Sequence, residues 1–551
     1  MTTRDGVHEQ EATAGREAPP LVLSVGRLRV DPLDLAIVVA LTAAAAFMRF
    51  WQLDSVPLGL HGDEAWTGLD ARRVLDEGWI GPYLRSALGQ PIGPVYFTAL
   101  LFTFLPETTF TIRFSMAVFG VLSIPLAYAT FALMFNRTAG AFAAVFLATM
   151  MWHLHLGRTG YMVTTWPFIE LAVLCALWLA IQRRNVWLFV VAGALAGAGV
   201  YTYNAYLLFL PVPLFALLWI IVAASTGTDR IRAAAFSVAF AAAAVIVALP
   251  MIFYAADNWE IYREHQRVVG VTNQQRWDDA SVAGKADILW DRATEWHNAL
   301  IFGDRPDLGD GMAHGEYAPL HVGVYALAIG GIFIALVRVR RLEYALCLVA
   351  MLVLPLGAIL TIGDGLFRRT LGITPFVAAL AALPLAELWR ILTEKRGAVS
   401  TAGIAMVLFV PALVAMTTTY QYFGPMQDTA TMRLVYPYQV DAAAHWIDDL
   451  PDGTYVYFYS DRWSFRYETV RFIAPGATGE DRSLEFRTQG RLGPVSTAIT
   501  VPPSRPVAFV LLGAYTPMID EIAALYEDGE RHEGRRDGET TFIAWFLPPR
   551  N

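Results

Sequence analysis

The chain alternates long apolar runs with short polar turns, and the runs have the length that crosses a membrane. They extend from Leu35 to Trp51, Ile112 to Phe135, Ala139 to Leu156, Val163 to Ile181, Val186 to Val200 and Tyr206 to Ala224. Ala233 to Ala255, Leu320 to Val337, Tyr344 to Ile362, Leu371 to Leu388 and Ala398 to Thr419 follow. A hydrocarbon core takes about 20 residues at helical rise, and within it a backbone satisfies its own N–H and C=O groups only as a helix. The pattern therefore predicts about eleven transmembrane helices. Pro91 to Phe104 is also apolar, but it is short and opens with a Pro-Ile-Gly-Pro turn, which predicts an interfacial or re-entrant helix.

Beyond Tyr420 the pattern changes. Tyr455 to Tyr459, Val507 to Leu512 and Thr541 to Phe546 read as strands, and Met518 to Tyr526 has helical spacing. The expected architecture is an all-α polytopic domain over residues 33–420 followed by a small extracytoplasmic α/β domain over residues 421–551. Residues 1–32, polar and mixed in charge, read as a flexible cytoplasmic tail. Composition agrees with a membrane protein: 56% of residues are hydrophobic and 16% charged, where soluble domains carry about 25% charged residues. The two cysteines, Cys175 and Cys347, each lie inside an apolar run, so no disulfide framework is expected. The net charge of −8 sums over two sides of a membrane, and nucleic acid is not an expected partner.

Charge placement gives the orientation. Basic residues collect in cytoplasmic loops, and the basic turns here are Arg137, Arg183-Arg184, Arg230 with Arg232, Arg338 to Arg341, and Lys395-Arg396. With Pro91 to Phe104 excluded as a span, all of them fall on the side of the N-terminus. The predicted N-terminus is thus cytoplasmic and the C-terminus lies outside the plasma membrane. The outer side receives loop 52–111, the turn His155 to Met162, loop 257–318 and everything from Tyr420 onward. The turns Thr202 to Ala205 and Gly363 to Thr370 join them.

Polar chemistry gathers on that side. His61-Gly62-Asp63-Glu64-Ala65-Trp66 follows the first span, and adjacent carboxylates beside a bilayer are costly unless solvated or used. The plain alternative is that Asp63 caps a helix from Glu64 to Glu77. Trp152-His153-Leu154-His155-Leu156-Gly157-Arg158 closes the third span; its histidines are two apart, which does not put them on one helix face. Arg158 either snorkels or binds an anion. Tyr201-Thr202-Tyr203-Asn204 suits an aromatic belt. Arg368 and Arg369 run against the positive-inside bias, which a phosphate partner would explain, the alternative being an ion pair with Asp364. Loop 257–318, with Trp259, Trp277, Trp290 and Trp296, reads as a binding loop or lid without regular structure.

In this order the motifs, with Arg72 and the Pro91-Ile92-Gly93-Pro94 turn, resemble bacterial relatives of protein O-mannosyltransferases and aminoarabinose transferases, membrane glycosyltransferases of the GT-C class. The resemblance covers roughly Leu33 to Leu388. It implies a hexosyl or pentosyl transferase using a polyprenyl-phosphate-linked sugar at the outer membrane surface. It implies Asp63 as catalytic base and Glu64 in a supporting or acceptor-binding role. Arg158, Arg368, Arg369 and Arg72 are the expected holders of the donor phosphate, and His61, His155, Tyr203 and Asn204 the expected substrate contacts. The acceptor is a glycan, a lipid or a protein, and membrane lipids surround the whole. No cofactor is fixed by these motifs, although Asp63 and Glu64 leave room for a shared divalent metal. A lipid or solute transporter is the competing reading. It wants polar or broken helices at mid-span, whereas these spans hold almost no charge apart from Glu170.

Overall fold

The computed structural model describes residues 23–24, 27–28, 31–86, 89–303, 311–312, 317–394, 398–483 and 496–549. Most of the expected N-terminal tail lies outside the described residues.

Among the described residues, eight helices are long and apolar enough to cross a membrane: Pro32–Phe50, Thr109–Met134, Met162–Arg183, Asn204–Val222, Gly227–Asp257, Leu342–Ile359, Arg368–Glu394 and Val399–Asp428. Three further expected spans are occupied by the shorter apolar helices Arg137–Thr149, Val186–Tyr201 and Val322–Val337, so length and composition support eight of the eleven expected crossings. The protein is a multi-pass membrane protein. Helix α1 (Pro32–Phe50) leads through residues 51–61 to α2 (Gly62–Glu77), then α3 (Gly93–Phe102), α4 (Thr109–Met134) and α5 (Arg137–Thr149). At ten residues, α3 is about 15 Å long, half the thickness of a hydrocarbon core.

Small residues let the helices close on one another, since apolar surface gains nothing by leaving lipid and contact must come from packing. A Cβ on Gly193 would run into the Phe240 carbonyl, and one on Gly197 into that of Ala244. This seats helix Val186–Ala198 directly on the backbone of Gly227–Asp257. Gly331 meets the Leu380 carbonyl in the same way.

The described part of loop 257–318 is not irregular. Short helices at Trp259–Tyr262 and Glu264–Val269 precede a 21-residue helix, Val282–Phe302. That helix buries Ile288, Trp296, Ala299 and Leu300 while its charged residues are exposed or half-buried. The charges concealed it among the loop residues.

The C-terminal part holds a five-stranded sheet made of β1 (Tyr455–Tyr459), β2 (Thr478–Asp481), β3 (Val507–Leu511), β4 (Glu530–Arg536) and β5 (Glu539–Leu547), in the order β2-β1-β3-β5-β4. β2, β1 and β3 run parallel, and β5 is antiparallel to both β3 and β4. The three inner strands are the three expected ones. The two edges were not expected, because Thr478–Asp481 and Glu530–Arg536 are polar and charged, the composition that protects an exposed edge. The helix Glu468–Ile473, between β1 and β2, lies against α2.

Candidate functional site

The chain enters α2 through His61, the N-cap, whose Nδ1 accepts the Asp63 N–H at 3.0 Å. Glu64 reaches back to accept the His61 N–H at 2.9 Å, completing a capping box. The helix therefore starts two residues before the expected Glu64, and Asp63 is not its cap. The Asp63 carboxylate is left for another use, at a helix end whose dipole favours negative charge.

Asp63 Oδ2 accepts from Arg368 Nη1 at 2.6 Å, and His61 Nδ1 lies 4.0 Å from it. The Asp63 side chain is 33% exposed and that of Arg368 20%. The Arg368 guanidinium sits 4.7 Å over the Tyr161 ring, which also meets the His61 ring edge-on at 5.4 Å. Burial raises the Asp63 pKa, but the charges of Arg368 and His61 and the hydrogen bond from Arg368 outweigh it, so the carboxyl stays below its ordinary value. Burial holds the His61 imidazole below its usual pKa, against the pull of Asp63.

Glu64 is fully buried and points away from solvent. Its Oε1 accepts from Arg113 Nε at 3.0 Å and Gly160 N at 2.7 Å, and its Oε2 from Arg113 Nη2 at 3.2 Å as well as His61 N. A carboxylate offers about four lone-pair sites, and all four are filled from within the chain. This fits a supporting role and leaves no oxygen for an acceptor or a metal shared with Asp63. Among the described residues, no three His, Cys, Asp or Glu side chains converge as a metal site.

Arg368 is the expected phosphate arginine that bonds to Asp63. Arg158 is buried and donates to the carbonyls of Met48 and Trp51 at 2.7 Å, Val56 at 2.9 Å and Gln52 at 3.3 Å, fastening the end of α1 where helix carbonyls lack intrahelical partners. Arg369 donates to Thr361 Oγ1 and the Ile362 carbonyl, and Arg72 to Glu107 and the Phe472 carbonyl. His155 is buried between the Tyr422 and Tyr436 hydroxyls, at 3.3 and 3.1 Å. Tyr203 packs over Trp166, and Asn204 Nδ2 donates to the Gly89 carbonyl at 3.0 Å. The contacts of these six side chains with the chain itself stabilise the fold around the site.

Three groups of residues escaped the sequence reading. Arg113 was missed although an arginine in the first turn of an apolar span asks for a partner. It also donates to the carbonyls of Leu53, Pro57 and Gly59, so one guanidinium gathers the whole lead-in to α2 around Glu64. His265, in loop 257–318, makes a small contribution to holding the Asp63 carboxyl below its ordinary value. The third group comes from the C-terminal sheet domain: Asp441, Tyr467, Thr469 and Arg536 all bond to backbone between Leu58 and Gly62. No local signal could have paired residues that far apart in sequence.

The family model for dolichyl-phosphate-mannose-protein mannosyltransferases matches residues 89–254. An undecaprenyl phosphate-alpha-4-amino-4-deoxy-L-arabinose arabinosyl transferase of Pseudomonas fluorescens is 24% identical over 285 residues, 49% of this chain and 47% of the relative. The chain thus spans about half the length of that curated relative. The apo oligosaccharyltransferase of Archaeoglobus fulgidus superposes with a TM-score of 0.54 at 16% identity, over 81% of this chain and 64% of that one. Its complex with an inhibitory peptide and a dolichol-phosphate gives 0.53 at 15% identity, over 93% and 74%. By fold, this chain is similar to polytopic membrane glycosyltransferases of the GT-C class.

Proposed function

We propose that this protein moves a sugar from a polyprenyl-phosphate donor to an acceptor hydroxyl at the outer face of the membrane, with Asp63 as general base and inversion at the anomeric carbon. The observation that carries the reading is the half-open Asp63–Arg368 pair at the start of α2. It is a base and a cation within 2.6 Å, partly exposed, beside a neighbouring carboxylate that is buried and saturated.

Asp63 takes the proton of the acceptor hydroxyl as its oxygen attacks the anomeric carbon. The bond from that carbon to the phosphate oxygen breaks, and the carrier phosphate leaves with the electron pair. Arg368 supplies positive charge where the phosphate departs. When that guanidinium turns to the phosphate, Asp63 loses the partner that holds its pKa down and becomes a stronger base at the moment of transfer. General-base help is worth about 10²- to 10⁴-fold, and stabilisation of developing charge is often worth more.

The donor class is supported by the relatives, one named for an undecaprenyl phosphate-linked sugar and one solved with a dolichol-phosphate. It is supported also by an apolar groove of about 320 Å³ lined by Val200, Leu207, Met251, Ile252, Trp259 and Tyr262, which suits a prenyl chain. A polar hollow of about 420 Å³, which also takes a residue of the short helix Trp259–Tyr262, is lined by Arg85, Glu260, Glu264 and Arg267. The basic turns support a cytoplasmic N-terminus and an outer C-terminal domain, and the helix Ala398–Phe423 carries the last span slightly past the proposed boundary between 33–420 and 421–551.

The test is transfer of radiolabelled sugar from a panel of polyprenyl-phosphate sugars in membranes holding wild type or Asp63→Asn, with protein levels matched. Consumption of one donor by wild type and not by the variant supports the reading. If no donor is consumed, the transferase reading fails and transport of the same lipids is tested next.

A further inference from the structure

We infer that the C-terminal domain is a working part of the active site, because it fixes the backbone that carries Asp63, with Tyr467 as the principal positioning residue. The inference rests on the reading of Asp63 as base.

The lead-in to α2 receives side chains of the C-terminal domain at every second residue. Arg536 Nη1 donates to the Leu58 carbonyl at 3.1 Å. Leu60 is held at both ends of its peptide, its N–H by Asp441 Oδ1 at 3.0 Å and its carbonyl by Thr469 Oγ1 at 2.8 Å. The Tyr467 hydroxyl accepts the Gly62 N–H at 3.1 Å, one residue before Asp63. That N–H belongs to the first turn of α2, where amides have no partner inside the helix, so the atom that satisfies it helps define where the helix begins. The approach is close: a Cβ on Gly62 would stand 2.9 Å from the Tyr467 hydroxyl and 3.3 Å from Glu468 Oε2, so a larger residue there would displace these side chains.

The contact continues along the helix. Arg471 lies 5.2 Å over the Trp66 ring, the Phe472 ring fills the space beside Gly68, and the Phe472 carbonyl accepts from Arg72. Helix Glu468–Ile473 therefore tracks α2 from residue 62 to residue 72. A domain that merely hung from the last span would need none of this. As built, a shift of the C-terminal domain is a shift of Asp63, and a misplacement of about 1 Å at a reacting group costs on the order of 10²-fold in rate. Engagement of an acceptor by the C-terminal domain would thereby be felt at the base.

The experiment uses the full chain in phosphatidylethanolamine–phosphatidylglycerol vesicles, as wild type, Tyr467→Phe, Thr469→Val, Thr469→Ser and Asp63→Asn. Two quantities are read: backbone hydrogen exchange over residues 58–64, and the turnover and donor KM for whichever polyprenyl-phosphate sugar the panel identifies. Tyr467→Phe and Thr469→Val are expected to speed exchange in that segment about tenfold, as each leaves a backbone group without its partner. They are expected to lower kcat about 10- to 100-fold with the donor KM unchanged, while Thr469→Ser, which keeps the hydroxyl, behaves as wild type. Wild-type exchange and kcat in both Tyr467→Phe and Thr469→Val overturn the inference, as does a change in KM alone or a Thr469→Ser as damaged as Thr469→Val. An active Asp63→Asn overturns the assignment of the base instead, and the exchange arm still judges whether the domain holds the segment.

Discussion

Two carboxylates adjacent in sequence occupy opposite environments. Behind α2, Glu64 lies in a dry interior where Arg113 and two backbone amides fill both of its oxygens, and Arg113 itself is spent on three further carbonyls. In front of α2, Asp63 is a third exposed and paired with Arg368. Burying an ion pair costs several kcal/mol per ion before attraction and hydrogen bonds repay it, so the rear network is stable only because it is complete. A complete network has nothing left to offer a substrate. The front pair is open to solvent on one side, and that asymmetry favours the proposal that gives architecture to Glu64 and chemistry to Asp63.

The sharpest way to break this contrast is Asp63→Asn. Transfer is expected to fall about 10²- to 10⁴-fold, while thermal unfolding in detergent moves little, because a partly exposed ion pair is worth only about 0–1 kcal/mol. A strong loss of folded protein would put Asp63 with Glu64 in the framework.

The mirror experiment is Glu64→Ala. Leaving Arg113 buried without its carboxylate is expected to cost about 3–5 kcal/mol of stability, read as a large drop in melting temperature, and Arg113→Ala should do the same. Glu64→Ala with a wild-type melting temperature and lost transfer would move the chemistry to Glu64.

Sequence patterning singled out the front carboxylate but not the partner of the rear one. Asp63 could be singled out because two charges beside an apolar run are visible to the eye. Arg113 sits 49 residues from Glu64, inside what reads as the start of a span, and only the fold brings them together. The same holds more widely. Spans are legible because bilayer thickness sets a length, whereas Val282–Phe302 was hidden by its charges and the edge strands by their polarity. Arg158 had the chemistry of a phosphate ligand, but charge and position do not tell that four carbonyls near the end of α1 already claim it.

Arg368→Gln tests the front pair from its other side. Removing one charge-stabilising donor is expected to lower kcat about 10²-fold. It should also move the pH profile. A base works only when deprotonated, so activity falls as pH drops through its pKa. In the wild type the charge of Arg368 helps hold the Asp63 pKa below its ordinary value against burial; without it burial is less opposed, the pKa rises, and the acidic limb of kcat/KM moves to higher pH. Arg368→Lys keeps the charge and should keep the limb near its wild-type position. An unchanged limb in Arg368→Gln would separate the two residues in function.

The smallest expected effect lies one residue further on. Arg369 has the same charge as Arg368 and the same place in the turn, yet its Nη1 donates to Thr361 Oγ1 and the Ile362 carbonyl rather than to the Asp63 side. If a guanidinium committed to the chain's own oxygens is unavailable to substrate, Arg369→Gln should cost only the hydrogen bonds it loses, about 0.5–1.5 kcal/mol each. Transfer per folded molecule should then change less than about threefold, well short of the loss from removing a charge-stabilising donor. A parallel comparison of the two glutamine variants, by melting temperature and initial rate, decides the matter. If Arg369→Gln loses as much rate as Arg368→Gln at an unchanged melting temperature, both arginines hold the departing phosphate, and internal hydrogen bonding is no guide to which charges this site uses.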